Sequence, residues 1–200
     1  IQIPENSFLQ LIEQKCKEFD AVFIADEVQS GYGRTGKFFA HQHADVKPDL
    51  ITVAKGMGNG FPIAGVLINP SIEAKMGMLG TTFGGAYLAC AAGIAVLDII
   101  KKEGLIENSE KVGNYLMQEL KKIDGIKEVR GQGLMIGIQL EVPCADVRNE
   151  LLHKHKMFTG SSSEKHTLRI LPALNITKTE IDLFLTAFTA SLKSIKSTTA

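Results

Sequence analysis

The stretch Ala21–Phe38, AVFIADEVQSGYGRTGKF, sets an acidic residue at the end of a short apolar run and follows it with a glycine-rich segment. An apolar run of this length, bounded by polar and glycine residues, is typical of a strand that is buried on both faces of an α/β sheet. Open α/β sheets bind their ligands at the carboxyl ends of the strands. Asp26 is therefore a candidate site residue; the alternative is an aspartate that only caps a turn.

The glycine pattern in Gly31–Phe38 also resembles phosphate-binding loops. It satisfies G-x-G-x-x-G, and it fits G-x-x-x-x-G-K up to the position where Phe38 replaces the expected serine or threonine. Such loops bind phosphate when the strand runs directly into the glycines and a helix begins just after them. Here the residues DEVQS separate the apolar run from Gly31, and Phe38 lacks the hydroxyl that would hold magnesium. The sequence therefore argues against a nucleotide-binding loop.

The composition favours a protein that acts on a small molecule. The 200 residues can form one domain or two small ones, and 22 basic side chains are balanced by 22 acidic ones. This balance argues against nucleic acid or a membrane surface as a partner. The three cysteines, Cys16, Cys90 and Cys144, include no close pair for a disulfide framework or a zinc site, which fits a reducing compartment such as the cytoplasm.

The first half of the chain predicts an α/β arrangement. A helical pattern covers Ser7–Phe19, with Ser7 as its N-cap, and a second helix rich in small residues is expected later in this half. Between them, short apolar runs predict strands. The expected strands are Ala21–Ala25, Asp49–Ala54 and Ala64–Asn69, and the second helix is Ala86–Lys102.

The second half of the chain predicts a different order of strands and helices. After an amphipathic helix, the order from residue 125 onward is strand, strand, helix, strand and a final helix with Thr177 as its N-cap. This order predicts a small α+β layer separate from the first sheet. We place the boundary near residue 105, which gives domains 1–105 and 106–200.

A second candidate residue follows the strand of Asp49–Ala54. Lys55 precedes GMGNG, in which three glycines within five residues let the backbone approach a ligand closely. We expect the lysine to be poorly solvated, because it follows an apolar strand and its neighbours are Ala54 and Gly56. Burial lowers the pKa of an ammonium group and so favours the neutral amine that Schiff-base chemistry needs. The alternative is a surface lysine on a flexible loop. A strand-end aspartate and a strand-end lysine in a glycine loop together describe the site of a pyridoxal phosphate enzyme.

Five motifs strengthen this interpretation because they occur together and in order: FIADEVQSGYGRTGKFFAHQ, PDLITVAKGMGNGFPIAG, GTTFGG, VRGQGLMIG and LRILPAL. The set resembles the class III aminotransferases of fold type I, most of all their acetylornithine and ornithine members. The resemblance implies that 1–105 is the C-terminal portion of a large domain with a mostly parallel sheet and helices on both faces. It implies that 106–200 is the small α+β domain, and that the N-terminal half of the family fold is absent.

The resemblance also implies roles for the residues around the first glycine loop. Lys55 would form the Schiff base with pyridoxal 5'-phosphate and would then move the substrate proton. Asp26 would pair with the pyridine nitrogen, Val28 would pack on the ring, and Gln29 would reach the phenolic oxygen. Glu27 belongs to the same cofactor-binding stretch, and its role is less defined.

Further implied contacts lie outside that loop. Thr82 would bind the cofactor phosphate across the interface of a homodimer, with Thr81 close to the substrate. Arg169 would bind the α-carboxylate of glutamate or ornithine through two parallel hydrogen bonds. The alternative for Arg169 is a solvated strand arginine. Arg34 and Lys37 receive no role, and no metal site is expected.

The activity implied by the resemblance is transfer of the terminal amino group of an N-acylated ornithine to 2-oxoglutarate, in arginine biosynthesis. Two alternatives stay open. One is an ω-transaminase of the ornithine or 4-aminobutyrate type, and the other is a non-catalytic module kept for oligomer contacts. The 200-residue chain by itself is expected to be inactive, since the implied phosphate loop and ring-stacking aromatic lie outside it.

Overall fold

The computed structural model describes residues 1–73 and 75–199. The chain forms two compact units. The first is Pro4–Ile106, and the second contains Ile1–Ile3 together with the chain from Glu107 onward. Their correspondence to a large and a small aminotransferase domain stays a prediction.

The first unit contains a three-stranded sheet. Its strands are β1 (Ile24–Asp26), β2 (Leu50–Val53) and β3 (Gly65–Ile68), in the order β1-β2-β3. β1 and β2 are parallel, with Asp26 opposite Thr52, and β3 is antiparallel to β2. Because parallel strands end at a common edge, Asp26 and the residues that follow β2 lie at the same edge of this sheet.

Two long helices belong to the same unit: α1 (Asn6–Glu18) and α2 (Tyr87–Lys102). The prediction of Ser7 as the N-cap of α1 is wrong. The helix begins one residue earlier, its N-cap is Glu5, and the Ser7 hydroxyl donates to the Glu5 carboxylate at 3.4 Å. The first turn of α1 is tied to a distant part of the chain, because the Asn6 side-chain amide donates to the carbonyl of His43 at 3.0 Å.

The second unit is built on a four-stranded antiparallel sheet in the order β4-β5-β7-β6. The strands are β4 (Ile126–Gln132), β5 (Met135–Leu140), β6 (Gly160–Ser161) and β7 (Thr167–Ile170). The sequence analysis missed β6. Two residues of the type Gly-Ser carry no strand pattern, so this strand is formed only by its pairing with β7.

The helices of this part of the chain are α3 (Leu105–Leu120), α4 (Cys144–His155) and α5 (Lys178–Thr199). The predicted N-cap of α5 is confirmed. The backbone N–H of Glu180 donates to the Thr177 hydroxyl at 3.3 Å, and the backbone N–H of Thr177 donates to the Glu180 carboxylate at 2.8 Å. This reciprocal pair is a capping box, in which two otherwise unbonded N–H groups are satisfied.

The core of the second unit lies on one face of its sheet. Ile136, Ile138 and Leu140 of β5 are fully buried, and they pack with apolar residues of α3, α4 and α5. Because side chains alternate along a strand, Gly137 of β5 and Arg169 of β7 lie on the opposite face. That second face carries polar side chains. Within the described residues, no helix combines the length and apolar character needed to cross a membrane.

Candidate active site

Asp26 is the last residue of β1, and one of its oxygens is held firmly. Oδ1 accepts a hydrogen bond from the backbone N–H of Val28 at 3.1 Å and another from the Thr52 hydroxyl at 3.1 Å. Among the described residues no hydrogen bond reaches Oδ2. The side chain of Asp26 is exposed. One oxygen is thus oriented by the protein, and the other is available to a cationic N–H group.

Lys55 lies in a short 3₁₀ turn, Lys55–Met57, directly after β2. Its φ of +43° is in the left-handed region, which costs a residue other than glycine about 1 kcal/mol. Two backbone hydrogen bonds hold the turn: Met57 N–H donates to Ala54 at 2.9 Å, and Gly58 N–H donates to Lys55 at 3.2 Å. The lysine is exposed, so the expectation of poor solvation is wrong: the turn carries it beyond the strand.

The glycines after Lys55 are needed for different reasons. A Cβ at Gly56 would lie 3.3 Å from Cβ of Tyr32, and a Cβ at Gly58 would lie 2.2 Å from the carbonyl oxygen of Phe61. Gly60 has open space around it and a φ of +102°, a conformation that side chains rarely adopt. Two of these glycines therefore permit close packing within the protein, and the third permits the backbone conformation.

The glycine loop at Gly31–Phe38 packs back toward the lysine turn. Tyr32, which is only 8% exposed, has a φ of +58° and contacts Gly56. Burial raises the pKa of the Tyr32 phenol. Its ring lies 5.2 Å from that of Phe38, centroid to centroid. No α-helix follows the loop directly; the next element is a 3₁₀ turn at Ala40–His43. The loop therefore supports the lysine turn and has no helix N-terminus to offer a phosphate.

Glu27 is 3% exposed, although the neighbouring Asp26 is exposed. Its carboxylate accepts hydrogen bonds from the Ser30 hydroxyl at 2.5 Å, the His41 backbone N–H at 2.8 Å and, at 3.0 Å, His41 Nδ1. These three contacts fix the start and the end of the glycine loop. A direct contact between Glu27 and a cofactor stays a prediction, and the geometry favours a role in holding the loop.

The remaining residues predicted near the cofactor lie in the first unit. Val28 is half-buried beside Asp26, and Gln29 is exposed. Thr81 and Thr82 are exposed in the segment between β3 and α2. A Cβ at Gly84 would lie 2.0 Å from Cγ2 of Thr81, so a side chain at this position would require Thr81 to shift. The roles of these four residues in binding stay predictions.

The two basic residues of the glycine loop that had no predicted role differ in exposure. Arg34 is half-buried, and burial lowers the pKa of its guanidinium. Lys37 is exposed. Neither position adds to the candidate site.

Arg169 belongs to the second unit, in β7. Its Nε is buried without a hydrogen-bond partner, and no hydrogen bond or ion pair joins its guanidinium to another described residue. The side chain as a whole is half-buried, and a buried N–H without an acceptor is costly. A carboxylate ligand would supply the missing acceptor, and an arginine fork matches a carboxylate in shape.

The family model for the class-III aminotransferases, "Aminotransferase class-III", matches residues 1–192. The chain belongs to this family. It is 41% identical over 196 residues to the acetylornithine aminotransferase of Nitrosomonas europaea, which covers 95% of the chain and 49% of the relative. It is 42% identical over 187 residues to the ornithine aminotransferase of Halalkalibacterium halodurans, covering 91% of the chain and 46% of the relative.

Solved structures of ornithine and acetylornithine aminotransferases also match the chain. The acetylornithine aminotransferase of Elizabethkingia anophelis superposes with a TM-score of 0.87 at 33% identity, over 96% of the chain and 50% of that structure. The ornithine aminotransferase of Toxoplasma gondii superposes with a TM-score of 0.89 at 28% identity, over 98% and 48%. The chain thus has the fold type I aminotransferase fold, and it spans about half the length of the curated relatives it matches.

Class-III aminotransferases use pyridoxal phosphate, and the residues of this chain fit that group. The lysine needed for a covalent bond lies just beyond β2, and a carboxylate with one free oxygen ends the neighbouring parallel strand. The pairing of a lysine with an aspartate directed at the pyridine nitrogen is the arrangement that this cofactor requires. Residues 1–73 and 75–199 contain no cluster of histidine, cysteine and acidic side chains that could hold a metal ion.

Proposed function

We propose that the protein containing this chain transfers the terminal amino group of an N-acylated ornithine to 2-oxoglutarate, in arginine biosynthesis. The observation that carries the proposal is the placement of Asp26 and Lys55 at the same edge of a parallel strand pair, in a chain of the class-III aminotransferase family. The acetylornithine aminotransferase of Nitrosomonas europaea, at 41% identity, supports the choice of donor.

Asp26 and Lys55 would have different roles at the cofactor. Pyridoxal phosphate, when bound, supplies a protonated ring that withdraws electrons from the substrate carbon bearing the amino group. Oδ2 of Asp26 keeps the proton on the ring nitrogen, since Oδ1 is already held by Val28 and Thr52. Nζ of Lys55 would take the proton from the substrate carbon and deliver it to the cofactor carbon.

Other residues of the chain would orient the substrate and the cofactor. Arg169 binds the α-carboxylate that glutamate shares with the ornithine-type donor, which gives its unpartnered Nε an acceptor. Val28 packs on the ring, and Gln29 binds its phenolic oxygen. Thr82 binds the phosphate of the partner subunit's site in a homodimer, with Thr81 close to the substrate.

A second candidate is transamination of free ornithine. The ornithine aminotransferase of Halalkalibacterium halodurans is 42% identical to this chain, as similar as the acetylornithine relatives. The two candidates differ in whether the α-amino group of the donor is acylated. Asp26, Lys55 and Arg169 would serve both donors equally, because none of them is assigned to that amino group.

A comparison of donors tests the proposal. The complete protein is purified with pyridoxal phosphate and assayed with 2-oxoglutarate and either N-acetylornithine or ornithine, with Lys55→Ala as the inactive control. We expect kcat/KM for N-acetylornithine to exceed that for ornithine by about tenfold or more, the value of one well-placed interaction. A preference for ornithine selects the second candidate, and the absence of glutamate formation from either donor contradicts both.

A further inference from the structure

Four residues form a row across the sheet of the second unit, on the face opposite the helices. Arg130 of β4 pairs with Gly137 of β5, Gly137 pairs with Arg169 of β7, and Arg169 pairs with Gly160 of β6. Directly paired residues have their side chains on the same face. Arg169 therefore has a glycine on each side, and it is separated from Arg130 by one of them.

The two glycines are not equivalent. A Cβ at Gly160 would lie 3.3 Å from Cβ of Arg169, 3.3 Å from its carbonyl oxygen and 3.6 Å from its Nε. A Cβ at Gly137 would meet nothing closer than 3.5 Å, and its contact to Arg130 would be 3.7 Å. The tight contacts at Gly160 involve the backbone and the base of the Arg169 side chain, which cannot swing aside as a flexible chain end can. A methyl group at Gly160 would therefore require Arg169 or β6 to shift by a few tenths of an ångström.

The two arginines of the row are held in different ways. Arg130 donates to Gln139 at 3.0 Å, to Glu128 at 2.7 Å and to Thr167 at 3.3 Å, and also to the carbonyl of Ile1. Arg169 has no such partner among the residues that the structure describes, and its Nε is buried. Its orientation thus depends on packing alone. Gly160 lies against the base of this side chain.

We propose that Gly160 is a positioning residue for substrate recognition. The absence of a side chain at this position lets the Arg169 side chain pass over β6 with its guanidinium directed at the carboxylate of the substrate. This inference rests on the proposed function, in which Arg169 binds the α-carboxylate. It assigns a role to a strand of two residues, Gly160–Ser161, which would otherwise only extend the sheet edge.

The variant Gly160→Ala tests this role in the complete holoenzyme. We expect KM for glutamate to rise about tenfold, because a displaced guanidinium loses one of two charge-assisted hydrogen bonds to the carboxylate. kcat should change by less than about twofold, because the groups at Asp26 and Lys55 are untouched. Single-turnover amination from n-pentylamine, which has a terminal amino group and no carboxylate, should be unaffected.

Matched variants separate positioning from general damage. Ser161→Ala changes the next residue of the same strand, which pairs with Leu168, and it should leave KM for glutamate unchanged. In an Arg169→Ala background, Gly160→Ala should have no further effect on KM, because the side chain on which it acts is gone. Gly160→Ala should fold, because its closest contacts of 3.3 Å require shifts of only a few tenths of an ångström, and the thermal unfolding midpoint checks this.

The inference is overturned by any of three results. These are an unchanged KM for glutamate in Gly160→Ala, an equal loss of rate with n-pentylamine, or the same loss again in the Arg169→Ala background. A Gly160→Ala variant that does not fold also overturns it, because the inference requires β6 to keep its place beside Arg169. Failure of the unsubstituted protein to aminate 2-oxoglutarate at all would contradict the proposed function instead, so the two failures are distinguishable.

Discussion

Replacement of Asp26 by asparagine is a selective perturbation of the candidate site. The amide oxygen can still accept the hydrogen bonds that Oδ1 receives from Val28 and from the Thr52 hydroxyl, so the side chain keeps its orientation. Oδ2 becomes an NH₂ group, which can neither carry the negative charge nor accept the proton of a pyridinium nitrogen. The variant thus removes the charge and leaves the geometry in place.

A bound cofactor would cover the exposed Asp26 and form a desolvated charge pair with it, and the loss of one partner of such a pair costs about 3–5 kcal/mol. At about 4 kcal/mol, the rate of the glutamate half-reaction should fall about 1,000-fold. Stopped-flow absorbance of the complete holoenzyme measures this rate, and the covalent attachment of the cofactor to Lys55 should persist. Asp49→Asn is a matched control, because Asp49 accepts a backbone hydrogen bond from Phe23 at 2.8 Å just before β2. An Asp26→Asn rate within about tenfold of the unsubstituted enzyme would refute the role of Asp26.

Three further predictions concern the surroundings of the site and the second unit. Thr52→Val should lower the half-reaction rate roughly fivefold, the effect of about 1 kcal/mol from one lost hydrogen bond, and Thr52→Ser should restore it; equal rates in both variants would exclude the contact. Glu27→Gln should lower the free energy of unfolding by about 1–3 kcal/mol in urea titrations, because an amide cannot accept all three donors; an unchanged unfolding midpoint would contradict this. The pKa of Glu164 is lowered from 4.5 to about 2, mainly by the Thr167 hydroxyl, so this carboxylate stabilises the fold above pH 4.5 and loses that contribution as the pH falls toward 2. Thr167→Val should raise this pKa in an NMR titration, and a pKa still near 2 would exclude the hydroxyl as its main cause.

Local patterns were sufficient to predict the positions of the main elements. The apolar runs around Asp26 and before Lys55 predict strands because a short apolar run bounded by turn residues is a local pattern. Thr177 and Glu180 predict their capping box for the same reason, since both partners lie within one turn. The location of Asp26 and Lys55 at the same sheet edge follows from the parallel pairing of two such strands.

Features that depend on distant contacts were not predictable. β6 exists only through its pairing with β7, and the importance of Gly160 depends on Arg169 beside it. The glycines after Lys55 were interpreted as room for a ligand, whereas Gly56 makes room for Tyr32 of another loop. Glu27 stands next to Asp26 in the sequence, yet its buried carboxylate binds His41. A single sequence does not show contacts between residues that lie far apart along the chain.

The central claim is that Lys55 is the residue that binds pyridoxal phosphate, and covalent labelling tests it most directly. The complete holoenzyme is reduced with borohydride, which fixes the cofactor to the amine that carries it, and is then digested and mapped by mass spectrometry. The account predicts a pyridoxyl group on Lys55, in the peptide that contains TVAKG, at about one per chain. A label on another lysine such as Lys37, or none on Lys55 in a protein that binds the cofactor, would contradict it.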